Sequence, residues 1–196
     1  MYMKCYLCGS EQQHIFTRVE SFGFPLVYYQ CEGCGLIFQS LAESQAVDPT
    51  FYEETYRQIY QQSEAPTAKD LWVQQQRADY LLGFLRSQNR ANPQRILDIG
   101  ASAGVLLQTI QKDIGCEAVG VEPGIAYRAH AEQRGLRMFP SIEELIDGMP
   151  ERFDLVSMLH VLEHLPDPIG TLTIIRKRLL SEKGALLVEV PNFYSH

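Results

Sequence analysis

The chain has 196 residues, 45% of them hydrophobic and 21% charged, with 24 acidic against 17 basic side chains and a formal charge of −7. This length holds one main domain and a small appendage. The acidic balance, with no basic run longer than Arg176, Lys177, Arg178, argues against a nucleic-acid partner. The start MYMKCYLCGS has neither the basic lead nor the apolar core of a signal peptide, and no window approaches the roughly 20 apolar residues of a membrane span. A cytoplasmic protein with no membrane partner is expected.

Residues 1–40 contain four of the five cysteines, in two C-x-x-C pairs: Cys5 and Cys8, then Cys31 and Cys34. Disulfides are disfavoured in a reducing compartment, and two such knuckles close four thiolates around one tetrahedral ion. A structural zinc ribbon is predicted. Four thiolates leave no open position for water, so a catalytic zinc is not expected here. Gly9 and Gly35 follow the pairs, as tight turns aiming amides at the sulfurs require. A ribbon this small relies on its metal for much of its folding energy.

Residues 41–92 read as a helical linker and lid. Tyr52, Tyr56 and Tyr60 recur every four residues, on one helical face. Pro66 interrupts, and a second helix follows with Leu71, Ala78, Leu82 and Leu85 at helical spacing and Thr67 with Asp70 as a capping box.

From 93 to 196 strand and helix alternate. Strands are predicted at 95–99, 117–122, 136–139, 154–159 and 185–190, and helices at 104–113, 124–134, 141–147 and 168–181. With right-handed crossovers this is a doubly wound α/β domain built on a parallel sheet.

The first strand runs into a glycine loop, ILDIGASAGVLLQTI. A Walker phosphate loop needs a lysine and a hydroxyl residue after its last glycine, but Val105 and Leu106 follow Gly104. A dinucleotide loop needs a third glycine where Leu107 stands, and a pyrophosphate is a poor neighbour for Asp98. An acid before the loop favours a cationic ligand group, while the helix N-terminus after it favours an anionic one. The ligand at this end should be a zwitterion. The methionine moiety of S-adenosylmethionine is one, and Glu122, at the end of the second strand, is placed to accept from its ribose hydroxyls.

These residues resemble a known family. LDIGASAG followed by VGVEP is similar to the first two motifs of the class I S-adenosylmethionine-dependent methyltransferases, with Ser102 in place of the middle glycine of D-x-G-x-G-x-G. FDLVSMLHVLEHLPDP and GALLVEVPN resemble their fourth and fifth strands, so the likeness covers about 95 to 192. It implies a Rossmann-like fold and a cofactor site at Asp98, Gly100, Ala101, Ser102, Gly104, Glu122 and Pro123. Backbone near Leu159 and His160 would line the methionine moiety.

HVLEH, residues 160–164, also matches the H-x-x-E-H zinc-protease pattern, which needs both histidines on one continuing helix. A β-rich run enters His160, and Pro166 and Pro168 curtail any helix after it, so catalytic zinc is not expected. Glu163 and His164 are the catalytic candidates: a histidine can take the proton of a hydroxyl or acidic carbon. The alternative leaves His164 capping the turn and Glu163 paired with a base. The N-P-P-[YF] tetrad of many amino methyltransferases is absent from the sequence, which favours oxygen or carbon acceptors.

The N-terminus, CYLCGS with YYQCEGCGLIFQS, is similar to that of bacterial sugar C-methyltransferases and related small-molecule methyltransferases. That resemblance implies a small-molecule acceptor such as a nucleotide-linked sugar, and a base beyond the fifth strand, where His196 would begin the region. Alternatives are a non-catalytic S-adenosylmethionine-binding or docking module and a zinc-containing RNA methyltransferase. Seven strands are expected of this superfamily and five are placed, so a longer natural chain and self-association through the fifth strand are expected.

Overall fold

The computed structural model describes residues 4–21, 24–39, 65–88 and 93–191. Tyr52, Tyr56, Tyr60 and His196 lie outside these residues. The first unit is an antiparallel sheet in the order β1 (Gln13–Ser21), β2 (Phe24–Cys31), β3 (Ile37–Gln39). Its apolar centre is slight: buried Cys5, Cys31 and Phe38, with Tyr6 packed edge-on to Phe38 at 5.2 Å between ring centres.

Helix α1 (Ala68–Ser87) opens on the capping box expected from its sequence. The Thr67 hydroxyl accepts from the Asp70 amide at 3.2 Å, and the Asp70 carboxylate accepts from the Thr67 amide at 2.9 Å. Ala78, Leu81 and Leu82 are its buried face.

Strand and helix then alternate as β4 (Arg95–Ile99), α2 (Val105–Ile114), β5 (Glu117–Val121), α3 (Ile125–Gln133), β6 (Arg137–Phe139), α4 (Ile142–Gly148), β7 (Phe153–Leu159), α5 (Pro168–Ile174) and β8 (Leu180–Glu189). The sheet is parallel throughout, in the order β6-β5-β4-β7-β8. Both faces are covered, which explains the near-continuous apolar runs of its strands. Ile96, Ala118 and Leu155 meet α1 and α2 on one face; Leu97, Val119 and Val156 meet Leu145 of α4 and Ile175 on the other. Chain order reverses direction between β4 and β7, so the crevice beyond their carboxyl ends is the topological switch point, where ligands bind in open α/β sheets.

The segment expected to be one helix over 168–181 is a correction. α5 ends at Ile174, a π-helical turn carries Ile175–Leu179, and β8 begins at Leu180, five residues before the expected strand. Arg152 stops the helix by donating to the carbonyls of Lys177 at 2.6 Å and Leu180 at 2.8 Å. Leu180 can then pair with Phe153, and the register slips before Ala185 pairs with Leu155. Gly184 serves that slip, because a β-carbon there would lie 2.9 Å from the Phe153 carbonyl oxygen.

Candidate cofactor and acceptor site

The loop after β4 is held from below. The amides of Gly100 and Ala101 both donate to the Val121 carbonyl, at 2.8 and 2.9 Å, and the Gly104 amide donates to Ala101 at 2.9 Å. Gly100, Ser102 and Gly104 all have positive φ (77°, 51° and 75°). Glycine adopts that region freely, whereas a side chain there costs about 1–2 kcal/mol. At Gly100 space also forbids a side chain, since a β-carbon would run into Val161. Ser102 stands where the family's motif has glycine, and its hydroxyl is used: it accepts from Gln74 Nε2 of α1 at 3.4 Å.

Two buried acids flank this loop. Asp98, 4% exposed on β4, accepts a 2.7 Å hydrogen bond from the Ser157 hydroxyl of β7. Burial pushes its carboxyl up, the Ser157 bond opposes that and the Glu122 charge adds to it, leaving a pKa of about 7. Glu122, 2% exposed at the end of β5, accepts from the Ser102 amide at 2.8 Å through Oε2 and from the Gly124 amide at 2.7 Å through Oε1. Arg128 donates to the carbonyls of Glu122 and Pro123 at 2.8 and 2.9 Å and so fixes the turn into α3.

Across the switch point the chain leaves β7 at Leu159, which packs against the core. His160 has φ of 54°, and its amide donates to the Glu189 carbonyl of β8 at 2.8 Å. Its ring meets three charged side chains. Nε2 lies 2.9 Å from Glu189 Oε1 and 2.5 Å from Arg77 Nη2, while Nδ1 lies 3.5 Å from Glu163 Oε1. Arg77 also pairs with Glu189 at 3.0 Å. Leu162–His164 form one 3-10 turn, not a continuing helix, with the His164 amide donating to Val161 at 3.0 Å. Glu163 and His164 are exposed on that turn.

The predicted cofactor residues thus converge on one crevice, with Asp98 and Glu122 below the loop and Leu159 and His160 at its far wall. Sequence reasoning misses Gln74, Arg77 and Ser157. Glu189 stands as the polar exception in the apolar run ALLVEV, which is the available signal for it; nothing in helical spacing marks Gln74 or Arg77 as facing the crevice.

In the first unit, the four cysteine sulfurs lie within 4.8 Å of one another, with Cys5 to Cys34 at 3.6 Å and Cys8 to Cys31 at 3.5 Å. Zn–S bonds of about 2.3 Å in a tetrahedron place sulfurs about 3.8 Å apart, so the cluster fits zinc with small adjustment. Among the described residues no helix is long and apolar enough to cross a membrane.

The family model described as "Methyltransferase domain" matches residues 70–196. A ubiquinone biosynthesis O-methyltransferase of Actinobacillus pleuropneumoniae serotype 7 is 30% identical over 130 residues, covering 59% of this chain and 52% of that protein. Its counterpart in Hahella chejuensis is 32% identical over 98 residues, covering 46% and 41%. The chain thus spans about half the length, or less, of these curated relatives. A SAM-dependent methyltransferase from Archaeoglobus fulgidus shares the fold with a TM-score of 0.51 at 21% identity, covering 76% of this chain and 61% of that one. With the match extending from α1 through β8 and past both walls of the crevice, the chain belongs to the methyltransferase-domain family.

Proposed function

We propose that this chain binds S-adenosylmethionine in the crevice between β4 and β7 and directs methyl transfer to oxygen or carbon of a small molecule. The observation that carries this reading is the pair of buried acids on either side of the glycine loop. The buried carboxyl of Asp98, raised to a pKa of about 7, has little reason to be there without a cation to meet it, and the α-ammonium of the methionine moiety is one. Glu122 is held through both oxygens by the Ser102 and Gly124 amides, which fixes its carboxylate for recognition of the ribose hydroxyls. The backbone at Ala101, Ser102 and Gly104 can follow the ligand because no side chain stands at Gly100. When bound, S-adenosylmethionine supplies a methyl group activated by its sulfonium; the protein's part is to orient it, exclude water and receive a proton.

The names of the relatives support an oxygen acceptor, and the resemblance of the N-terminus to sugar C-methyltransferases supports the carbon of a nucleotide-linked sugar as the second reading. Glu163 and His164, exposed on the 3-10 turn after β7, are the residues we assign to face the acceptor. Cys5, Cys8, Cys31 and Cys34 hold one structural zinc, and thiolates used for a metal instead of for disulfides suit the cytoplasm.

Calorimetry with S-adenosylmethionine, S-adenosylhomocysteine and NAD in parallel tests the cofactor. Binding of the first two and not of NAD is expected. NAD binding alone would overturn the reading, and tight S-adenosylhomocysteine binding with no methyl transfer to any small molecule or RNA would favour the non-catalytic module.

A further inference from the structure

Asp98 and Ser157 stand opposite each other where β4 pairs with β7, and each is only 4% exposed. Side chains alternate along a strand, so with Leu97 and Val156 packed on the α4 side, Asp98 and Ser157 share the side of α1 and α2. The two carboxylate oxygens of Asp98 are not equivalent. Oδ1 accepts from the Ser157 hydroxyl at 2.7 Å. Oδ2 takes no hydrogen bond from the described residues, yet it is not among their fully enclosed polar atoms without a partner, which are Gln13 Oε1 and His130 Nε2. It therefore keeps an open side, two residues before the glycine loop.

Ser157 Oγ also has the Leu97 carbonyl within reach, at 3.3 Å. A hydroxyl carries one proton and can accept as well as donate. Facing a carboxylate, it donates to Oδ1, the shorter and charge-assisted bond. Facing a carboxylic acid, it can accept from the proton on Oδ1 and turn its own proton to Leu97. Either way the buried pair stays satisfied and the carboxyl stays in place.

We propose that Ser157 is the positioning residue for the cofactor's ammonium: it holds Asp98 by Oδ1 so that Oδ2 meets the cation, and it follows the carboxyl through its change of charge. The proposal rests on the methyltransferase reading above. In the empty site burial favours the acid form, Ser157 opposes it, and the charge of Glu122, from the end of β5, adds to the burial. When the ammonium arrives, the Asp98 O–H bond breaks and its proton leaves to water. The Ser157 proton swings from the Leu97 carbonyl to Oδ1, and no other bond changes. An alanine at 157 would leave Oδ1 without a donor, which costs the carboxylate more than the acid, because hydrogen bonds to charged groups are the stronger ones.

Calorimetry of S-adenosylhomocysteine with the full chain from pH 5.5 to 8.5 tests the assignment. The parent affinity should rise to a plateau with its midpoint near the Asp98 pKa of about 7. In Ser157→Ala the midpoint should move up by about one pH unit, which weakens binding by about eightfold at pH 6.5 and by less than about twofold at pH 8.5. Ser157→Cys, close in size with a weaker donor, should fall between the two. In Asp98→Asn, which has no charge to follow, adding Ser157→Ala should produce no pH-dependent loss. A midpoint unmoved in Ser157→Ala, or a loss equal at every pH, as from a hydroxyl that only supports the fold, would overturn the proposal. The parent separates the two levels. Failure to bind S-adenosylhomocysteine at any pH removes the methyltransferase reading, whereas binding with a midpoint that ignores Ser157 removes only the role of Ser157.

Discussion

If Asp98 meets the α-ammonium of the cofactor, binding must be linked to its ionisation. Burial, with the Glu122 charge adding and the Ser157 hydrogen bond opposing, holds its pKa at about 7 in the unliganded chain. Only the carboxylate attracts a cation, so affinity should rise with pH through about 7 and level off above it. With the bound-state pKa returned to the ordinary carboxylate range, the apparent affinity falls about tenfold per pH unit below 7. Between pH 7.5 and 5.5 that is roughly 25-fold, or about 1.9 kcal/mol. Calorimetry with S-adenosylhomocysteine across this range measures it, and titration at pH 6 in two buffers of different ionisation enthalpy should show release of close to one proton. Asp98→Asn should bind weakly and without this slope. The same shift has a stability consequence of definite sign. A carboxyl raised above its ordinary value of 3.8 stabilises the folded state most at low pH, where it is protonated in both states. That advantage is lost as pH rises toward about 7, by up to about 4 kcal/mol. Asp98→Asn, which keeps an acceptor for Ser157, should therefore melt higher than the parent at pH 8 while losing its ligand. An affinity that changes less than threefold from pH 5.5 to 7.5, or a slope that survives Asp98→Asn, would refute the pairing.

Further outcomes are expected from single changes. Glu122→Gln should weaken S-adenosylhomocysteine by about 10- to 100-fold, the scale of a lost charged hydrogen-bond partner; unchanged affinity by calorimetry would reject its ribose role. Gly100→Ala should destabilise by about 2–3 kcal/mol, because φ of 77° strains any side chain and the new carbon meets Val161. Adding Val161→Ala should recover only the steric part in denaturant titrations. Cys31→Ser should drop zinc from one per chain to near zero in metal analysis and leave residues 1–40 sensitive to protease; retention of full metal content would contradict the four-cysteine site. β8 presents an edge that is unpaired among the described residues, with Leu186, Val188 and Val190 more than a third exposed. These 196 residues should therefore self-associate in light scattering as concentration rises, and a strict monomer throughout would reject that strand as an interface.

The parts of this molecule written in local pattern are legible in its sequence. The glycine loop and each C-x-x-C pair depend on neighbours a few residues away. So does the Thr67–Asp70 cap, and all of these are found where the sequence puts them. The alternation of strand and helix implies the parallel, doubly wound sheet, while its strand order comes from the structure. What escapes the sequence depends on contacts between distant segments. The end of α5 is set by Arg152, 25 residues before the Lys177 carbonyl it meets, and no helical spacing marks that limit. His160 reads from the sequence as backbone lining because its partners, Arg77 and Glu189, are 83 and 29 residues away. Ser157 is one more strand residue until β4 and β7 pair and set its hydroxyl against Asp98.

The way Glu122 is held limits what this crevice can become. An acid on a free side chain can be swapped for an arginine to admit a phosphorylated ribose, as happens among nucleotide-binding folds. Here the carboxylate also ties two turns together, gathering the amides of Ser102 and Gly124. Any replacement that welcomed a phosphate would leave two amides unanswered and loosen the loop meant to receive it. Ligand choice and loop closure are thus one property of this molecule, and a change of cofactor would require redrawing both turns together.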